Sequence, residues 1–415
     1  MDEKIIKERL VENFLTYLAI SSQSNENESK IPSSQGQLDL AKKLEKELIA
    51  LGLEDIRINE YGVLQARLGS NIKNKSAKIG WVCHLDTVDV GLSPNINPQI
   101  IRNYNGKDII LNKEENIIFK TEENPEVLDY IGDDIIFTDG KSVLGADNKA
   151  AIANVMTALW YLKENQKIKH GDIYIAFVPD EEIGLRGVRE IDFDQFDVDY
   201  AYTIDCCAIG ELVYETFNAA SGKLRIKGIP AHPMNSKNIL VNPIMVANDI
   251  INMLDRSKMP ENTEDREGYV WVTNIISDPI NCKVDFNIRN HDKEKFENTK
   301  IYLNKAIDLL RERHPRAVID LEITDTYANI LDSINENNKV AIEKLEKIYK
   351  KLGIKAKIIP MRGGTDGSYL SQRDILSPNY FTGAHNFHSN KEFLPIGSFY
   401  KSFLVTTKLM EVDYL

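Results

Sequence analysis

The 415-residue sequence holds only four cysteines, Cys83, Cys206, Cys207 and Cys282. They form no CxxC pair and are too sparse for a disulfide framework, so a disulfide-stapled scaffold is excluded and the thiols are read as reduced. Long apolar runs are absent as well. No stretch approaches the roughly 18 apolar residues of a membrane span, and the opening Met-Asp-Glu-Lys-Ile-Ile-Lys-Glu-Arg has no apolar signal core. Positive charge is in deficit: 51 Lys and Arg face 63 Asp and Glu, for a net charge of −12. With no long basic run to offset it, that balance disfavours nucleic acid and anionic membranes as partners. No segment repeats at a fixed period and none is of low complexity. A cytoplasmic protein is the expectation.

What is present is ordinary in bulk and specific in detail. Hydrophobic residues make up 42% and charged residues 27% of the chain, typical of a globular protein. The length favours two domains. Helical spacing marks 3–19 and 35–51, followed by strands at 63–67 and 78–83. The region 90–140 reads as loop-rich and acidic, with short β runs such as Asp134–Thr138. A helix is expected from about Asn148. Near-continuous apolar runs at 172–178 and 200–204 fit strands buried on both faces of a sheet. Alternation of strands with long helices predicts an α/β layer with a mixed, largely parallel sheet and flanking helices. Between 214 and 325 the order becomes β-α-β-β-α-β, which suits a small α+β domain inserted into the larger one. The expected division is thus 1–213 with 326–415, and 214–325 as the insert.

Five short segments carry residues suited to metal chemistry: His84-Leu-Asp86, Gly145-Ala-Asp147-Asn-Lys149, Asp180-Glu181-Glu182, Ile204-Asp205 and Phe387-His388. The first four follow apolar or β-rich runs, and sites of open α/β sheets form at the carboxyl ends of strands. Together they offer two imidazoles and several carboxylates, about the N and O donor set that two borderline divalent ions need with one carboxylate shared. Singly, each segment has an ordinary explanation. Asp147 reads as a helix N-cap, the acidic triplet as a solvated loop, Asp205 as a turn initiator, His84 and Asp86 as surface turn residues, and His388 as a structural histidine. Adjacent carboxylates repel, however, and a cation would relieve that cost. The turn Arg362-Gly-Gly364-Thr365-Asp-Gly367 offers backbone amides and a guanidinium for an anion, although it lacks the Lys-Ser/Thr pair of a phosphate loop. His232 and Arg289 are polar positions in the insert.

Taken jointly, these motifs make the chain closely resemble the peptidase T family, tripeptide aminopeptidases of the zinc-dependent exopeptidase group that also contains carboxypeptidase G. The resemblance runs nearly end to end. It is strongest at His84-Leu-Asp-Thr87, Thr138-Asp-Gly-Lys-Ser-Val-Leu-Gly-Ala-Asp-Asn-Lys149, Pro179-Asp-Glu-Glu-Ile-Gly184, Phe217-Asn-Ala-Ala220, Arg362-Gly-Gly-Thr-Asp-Gly367 and Phe381-Thr-Gly383.

The resemblance implies two Zn²⁺ per subunit. Asp147 matches the bridging carboxylate, followed in the family by a cis peptide. His84 and Asp205 match the remaining ligands of one ion, Glu182 and His388 those of the other. Asp86 matches the carboxylate behind the histidine ligand and Glu181 the general base. His232 matches an oxyanion-stabilising lid histidine. Arg289 and Arg362, with Gly364 and Thr365 in the same turn, match substrate-binding positions. The partner implied is a short peptide, with no nucleic acid and no membrane; homodimerisation is left open. Another amide hydrolysis of the same group (a dipeptidase, carboxypeptidase or N-acyl amino acid deacylase) and a non-catalytic peptide- or metal-binding protein are the competing readings. The chain departs from the family pattern at Cys206-Cys207, where Gly-Gly is common, at Met234 after His232-Pro233, at Ala384-His385, at Ser389 and at Asn290. The cysteines read as small buried hydrophobes or, more sharply, as thiolates beside the metal. His385 reads as an alternative donor.

Overall fold

The computed structural model describes residues 2–412. Two compact units emerge. The first comprises the described parts of Met1–Tyr214, Ile334–Ile359 and Thr365–Leu415; the second comprises Glu215–Ser333 and Pro360–Gly364. The second unit extends past 325 because its last strand, Val318–Tyr327, leads into a buried amide network. In that network Thr216 N donates to Asn329 Oδ1 (2.8 Å) and Asn329 N to Asn218 Oδ1 (3.1 Å). The short return segment joins it through Met361 N to Glu215 O (2.9 Å) and Phe217 N to Gly363 O (3.2 Å).

An eight-stranded sheet organises the first unit, in the order Glu54–Ile58, Leu64–Leu68, Ile173–Val178, Ile79–His84, Tyr200–Cys206, Asn379–Phe381, Glu211–Glu215, Lys357–Pro360. The four central strands, from Ile173–Val178 to Asn379–Phe381, run parallel. The pairings outside them are antiparallel where Glu54–Ile58 meets Leu64–Leu68, where that strand meets Ile173–Val178, and where Asn379–Phe381 meets Glu211–Glu215. The sheet is therefore mixed, with a parallel centre. Every residue of Ile79–His84 is buried, which explains why its sequence is an apolar run rather than an alternation. The helix Ala146–Glu164 is rich in Ala and is buried at every position from Ala146 to Leu159; a helix covered all round belongs inside the layer. Helices Glu3–Leu18 and Ile396–Met410 pack against it.

The structure adds strands to the expected set, while the expected β run at Asp134–Thr138 is the strand Ile135–Thr138. Glu54–Ile58 is an exposed edge strand of sequence Glu-Asp-Ile-Arg-Ile, too polar to signal burial. The region read as loop-rich contains strands Pro98–Ile101, Ile109–Asn112, Ile117–Phe119 and Ile135–Thr138. They enclose a satellite core of Tyr104, Phe119, Val127, Phe137 and Phe393. The strand Phe393–Pro395 completes the sheet by pairing Phe393 with Phe137, a partner far along the chain that local patterning does not reveal.

The second unit follows the expected β-α-β-β-α-β order: Asn218–Lys227, Pro243–Met253, Tyr269–Ser277, Asn281–Asn290, Lys293–Arg313, Val318–Tyr327. All its strands pair antiparallel. Both helices pack on the sheet through a core that includes Leu224, Val246, Val284, Phe286 and Leu310.

Candidate metal centre

Three neighbouring parallel strands end side by side at one edge of the main sheet. Ile79–His84 delivers His84 and then Asp86, Ile173–Val178 leads into Asp180-Glu181-Glu182, and Tyr200–Cys206 carries Asp205. The fourth contribution comes from the entry to helix Ala146–Glu164, where Asp147 (φ −83°, ψ 97°) and Asn148 (φ −122°, ψ 16°) are not yet helical. Their shared peptide bond is cis, and His388 sits in a loop at φ 60°.

The side chains converge on Asp147. His84 Nε2 lies 2.9 Å from Asp147 Oδ1, and His388 Nε2 lies 3.1 Å from Asp147 Oδ2. Each oxygen of one carboxylate thus faces a different imidazole. His84 Nε2 is also 3.9 Å from Asp205, and His388 Nε2 is 3.0 Å from Glu182 Oε1. Two donor groups result, His84–Asp147–Asp205 and Asp147–Glu182–His388, with His84–Glu181–Glu182 as a third combination among the described residues. One side is deeply buried, with the His84 side chain 3% exposed; the other opens outward, with His388 at 45%.

Asp86 is wholly buried and serves several elements at once. Oδ1 lies 3.3 Å from His84 Nδ1 and accepts from Glu181 N (3.0 Å), while Oδ2 accepts from Glu182 N (3.2 Å). Orientation of a ligand histidine by a carboxylate is a recurring feature of metal sites. Asp180, at φ 55°, turns away from the cluster and anchors the same loop. Its carboxylate accepts from Ser33 N (2.8 Å), Ser33 Oγ (2.5 Å) and Gln37 Nε2 (2.7 Å). On the opposite side, Asn148 Nδ2 donates to Ile204 O (2.7 Å) and Asp205 Oδ1 (3.2 Å).

Electrostatics define what this cluster can hold. Burial raises the carboxyls of Glu181 and Asp205 well above the usual range, and Asp147 adds to the rise at Asp205. Burial and the Asp147 charge likewise raise Glu182. Burial alone would raise Asp147 too, yet hydrogen bonds from His388 and His84 bring it well below the ordinary carboxylate. For His84, burial opposes the proton, and hydrogen bonds to Asp147, Asp205 and Asp86 overcome it. Hydrogen bonds to Asp147 and Glu182 push His388 up to about 11. Crowded anions that raise one another while holding protons on the imidazoles are what a divalent cation relieves. The N and O donor set suits zinc or a similar borderline ion, so these residues fit such a group.

The other residues singled out in the sequence make local contacts of their own. His232, in the second unit, starts a short 3₁₀ turn and accepts through Nδ1 from Met234 N (3.2 Å). Arg289, in strand Asn281–Asn290, donates to Ala220 O (3.0 Å) and Ile288 O (2.9 Å) and lies 5.5 Å from the Tyr327 ring. Arg362 donates to Asp265 O (3.1 Å), Glu267 O (2.8 Å) and Thr263 Oγ1 (2.8 Å), above the rings of Phe217 and Tyr269. Gly364 lies against Tyr327, whose ring a Cβ would approach to 2.5 Å. Thr365, in the first unit, precedes helix Asp366–Gln372 as its N-cap residue. His385 is no donor to the cluster: its Nε2 pairs with Tyr130 Oη (2.7 Å), its ring stacks on Phe393 at 4.8 Å, and burial lowers it to about 4. Burial raises both Cys206 and Cys207, against a thiolate beside the cluster. Their carbonyls instead receive Thr382 N (2.8 Å) and Gly383 N (2.9 Å).

Two buried acids went unremarked in the sequence. Asp366, 3% exposed, is raised to about 7 by burial and then by Asp86 and Glu182, against His84. Glu392, 1% exposed, faces the loop that presents Asp147. Asp366 falls within the Arg362–Gly367 motif but its neighbours are distant in sequence, and Glu392 carries no local signal at all.

Comparison with known proteins agrees along the whole chain. A Peptidase T-like protein of Yersinia pestis is 51% identical over 401 residues, covering 97% of each chain. Peptidase T of Clostridium botulinum strain Loch Maree is 41% identical over 403 residues, covering 97% of this chain and 98% of its own. Among solved structures, the aminopeptidase PepT of Bacillus cereus superposes with a TM-score of 0.74 at 20% identity, covering 97% and 98%, a likeness of fold. The model of peptidase family M20/M25/M40 matches residues 145–412. The chain belongs to that peptidase family.

Proposed function

We propose that the protein is a tripeptide aminopeptidase of the cytoplasm that uses two zinc ions to release the N-terminal residue of its substrate. One observation carries this reading: the two oxygens of Asp147 face two separate histidines, each within its own donor group. His84, Asp147 and Asp205 would hold one ion, and Asp147, Glu182 and His388 the other. Zinc held there would supply Lewis-acid polarisation of the scissile carbonyl and make water nucleophilic at neutral pH.

The chain's own residues do the rest. Glu181 stands beside both groups with its backbone held by Asp86. Its raised carboxyl suits a group that takes a proton from water at Oε and returns it to the leaving amine. Asp86 orients His84 and fixes the backbone of both glutamates, so base and ligands stay in register. The family resemblance gives His232 the oxyanion, and gives Arg289 and Arg362 the terminal carboxylate of a short peptide, with Gly364 and Thr365 shaping the same turn. Reading that carboxylate would limit substrate length.

The test is product analysis of zinc-loaded protein on matched di-, tri- and N-acyl peptides. Release of the N-terminal residue from the tripeptide is expected. Release of the C-terminal residue, or preference for the dipeptide or acyl substrate, would overturn the specificity. Absence of bound metal after loading would overturn the mechanism.

A further inference from the structure

The loop Leu144–Asp147 poses a problem of unpaired donors. Its successive N–H groups precede the regular turns of helix Ala146–Glu164, and such amides have no partner within the helix. Gly145 is left-handed here (φ 73°), and a Cβ on it would come within 3.1 Å of both Ile96 and Thr87. One side chain meets the four amides. Glu392 Oε2 accepts from Leu144 N (2.7 Å) and Gly145 N (2.9 Å), and Oε1 from Ala146 N (2.8 Å) and Asp147 N (3.3 Å).

Glu392 is itself fixed from behind. His385 and Phe393 exchange backbone hydrogen bonds of 2.9 and 3.2 Å, closing the loop between them. Phe393 then stacks on Phe137 at 5.5 Å in the satellite core. His388 lies inside that same closed loop. The loop therefore grips Asp147 twice, at its amide through Glu392 and at its carboxylate through His388.

We propose that Glu392 is a positioning residue: by clamping the amides of Leu144–Asp147 it aims the Asp147 carboxylate and locks it to the loop that carries His388. The metal part of this rests on the two-ion reading above; the clamp itself does not. An anion gripped by consecutive backbone N–H groups forms a rigid concavity, and outer partners of this kind typically change metal affinity about 10–100-fold when removed. A glutamine would place N–H against N–H at one oxygen position, while an aspartate keeps the charge but shortens the reach.

The experiment compares Glu392→Gln and Glu392→Asp with Val127→Ala, a fully buried satellite-core position that loosens packing without touching the clamp. Amide exchange at 144–147 is measured in metal-free protein, zinc affinity by chelator competition, and kcat and KM on a tripeptide. Glu392→Gln is expected to speed exchange at 144–147 at least about tenfold, to weaken zinc about 10–100-fold, and to lower kcat more than it raises KM. Glu392→Asp should fall between it and the unaltered protein, and it takes over the test if the glutamine variant does not fold. Unchanged exchange and zinc affinity would overturn the proposal. So would equal losses in Val127→Ala at matched melting temperature, which would reduce Glu392 to a packing role. If the unaltered protein binds no zinc, the two-ion reading fails, and the exchange data alone still decide whether the clamp exists.

Discussion

The donor cluster of the first unit and three arginines of the second treat charge in opposite ways. In the first, Asp147, Glu182, Asp205, His84 and His388 turn their donor atoms toward one another, and burial, with the Asp147 charge beside it, drives the carboxyls of Glu182 and Asp205 up. In the second, the cations are matched to protein acceptors. Arg266 makes a bidentate pair with Glu215 (2.6 Å for both contacts), Arg362 is bonded to three acceptors between 263 and 267, and Arg289 to two carbonyls. A cluster that gathers like-charged acceptors is organised around something it must bind. A cluster that satisfies its own charges holds the fold and must share them to take a ligand. A substrate carboxylate would have to share Arg362 with the loop it already holds.

The sharpest break of this contrast is at Asp147. Asp147→Ala should abolish loading of both ions and with it hydrolysis, whereas Glu181→Ala should keep both ions and lose about 10²–10⁴-fold in kcat. Metal content beside tripeptide turnover separates them, and full turnover in Glu181→Ala would remove the base assignment. Next in size, Glu182→Ala and Asp205→Ala should each lower the metal content by one ion rather than two; loss of both in each variant would mean that the groups do not act separately. In the second unit, Arg362→Met should cost about 1–3 kcal/mol through its lost hydrogen bonds, read from the denaturation midpoint. KM for a tripeptide should rise as well, and an unchanged KM would remove Arg362 from the substrate site.

The last expected effect is absent at neutral pH and appears only on acidification. His385 falls from an ordinary 6.5 to about 4 because it is buried. The unfolded chain then binds the extra proton between those values, so the contribution is whole above pH 6.5 and fades as pH drops toward 4. Stability curves of His385→Phe should lose that acid-side slope; an identical slope would place its origin elsewhere.

Much of this was legible in the sequence because it is local. Apolar runs ending in His84, Asp180 and Asp205 announce central strands with chemistry at their tips. The repeat of helices and strands announces the insert. What escaped depends on long separations. The Glu54–Ile58 edge strand pairs with Leu64–Leu68 but buries too little to show. The satellite core needs Phe393 to complete it. Glu392, in a polar stretch between Lys391 and Phe393, looks like any surface acid until the amides of 144–147 are folded against it. Asp180 sits in the same triplet as Glu181 and Glu182, yet faces Ser33 and Gln37 rather than the cluster, a distinction that spacing alone does not draw.

The grip on Asp147 from residues 388 and 392 also orders events during synthesis. A ribosome that has released the chain as far as the second unit has already delivered His84, Asp147, Glu182 and Asp205. It has delivered neither the imidazole that faces Asp147 Oδ2 nor the acid that holds the loop beneath it. The His84 side can therefore assemble early, while the His388 side must wait for nearly the last helix. A nascent chain of this protein passes through a long interval in which four of its five donors are in place and the hydrolytic centre is not, which separates the making of the scaffold from the onset of peptide-bond cleavage.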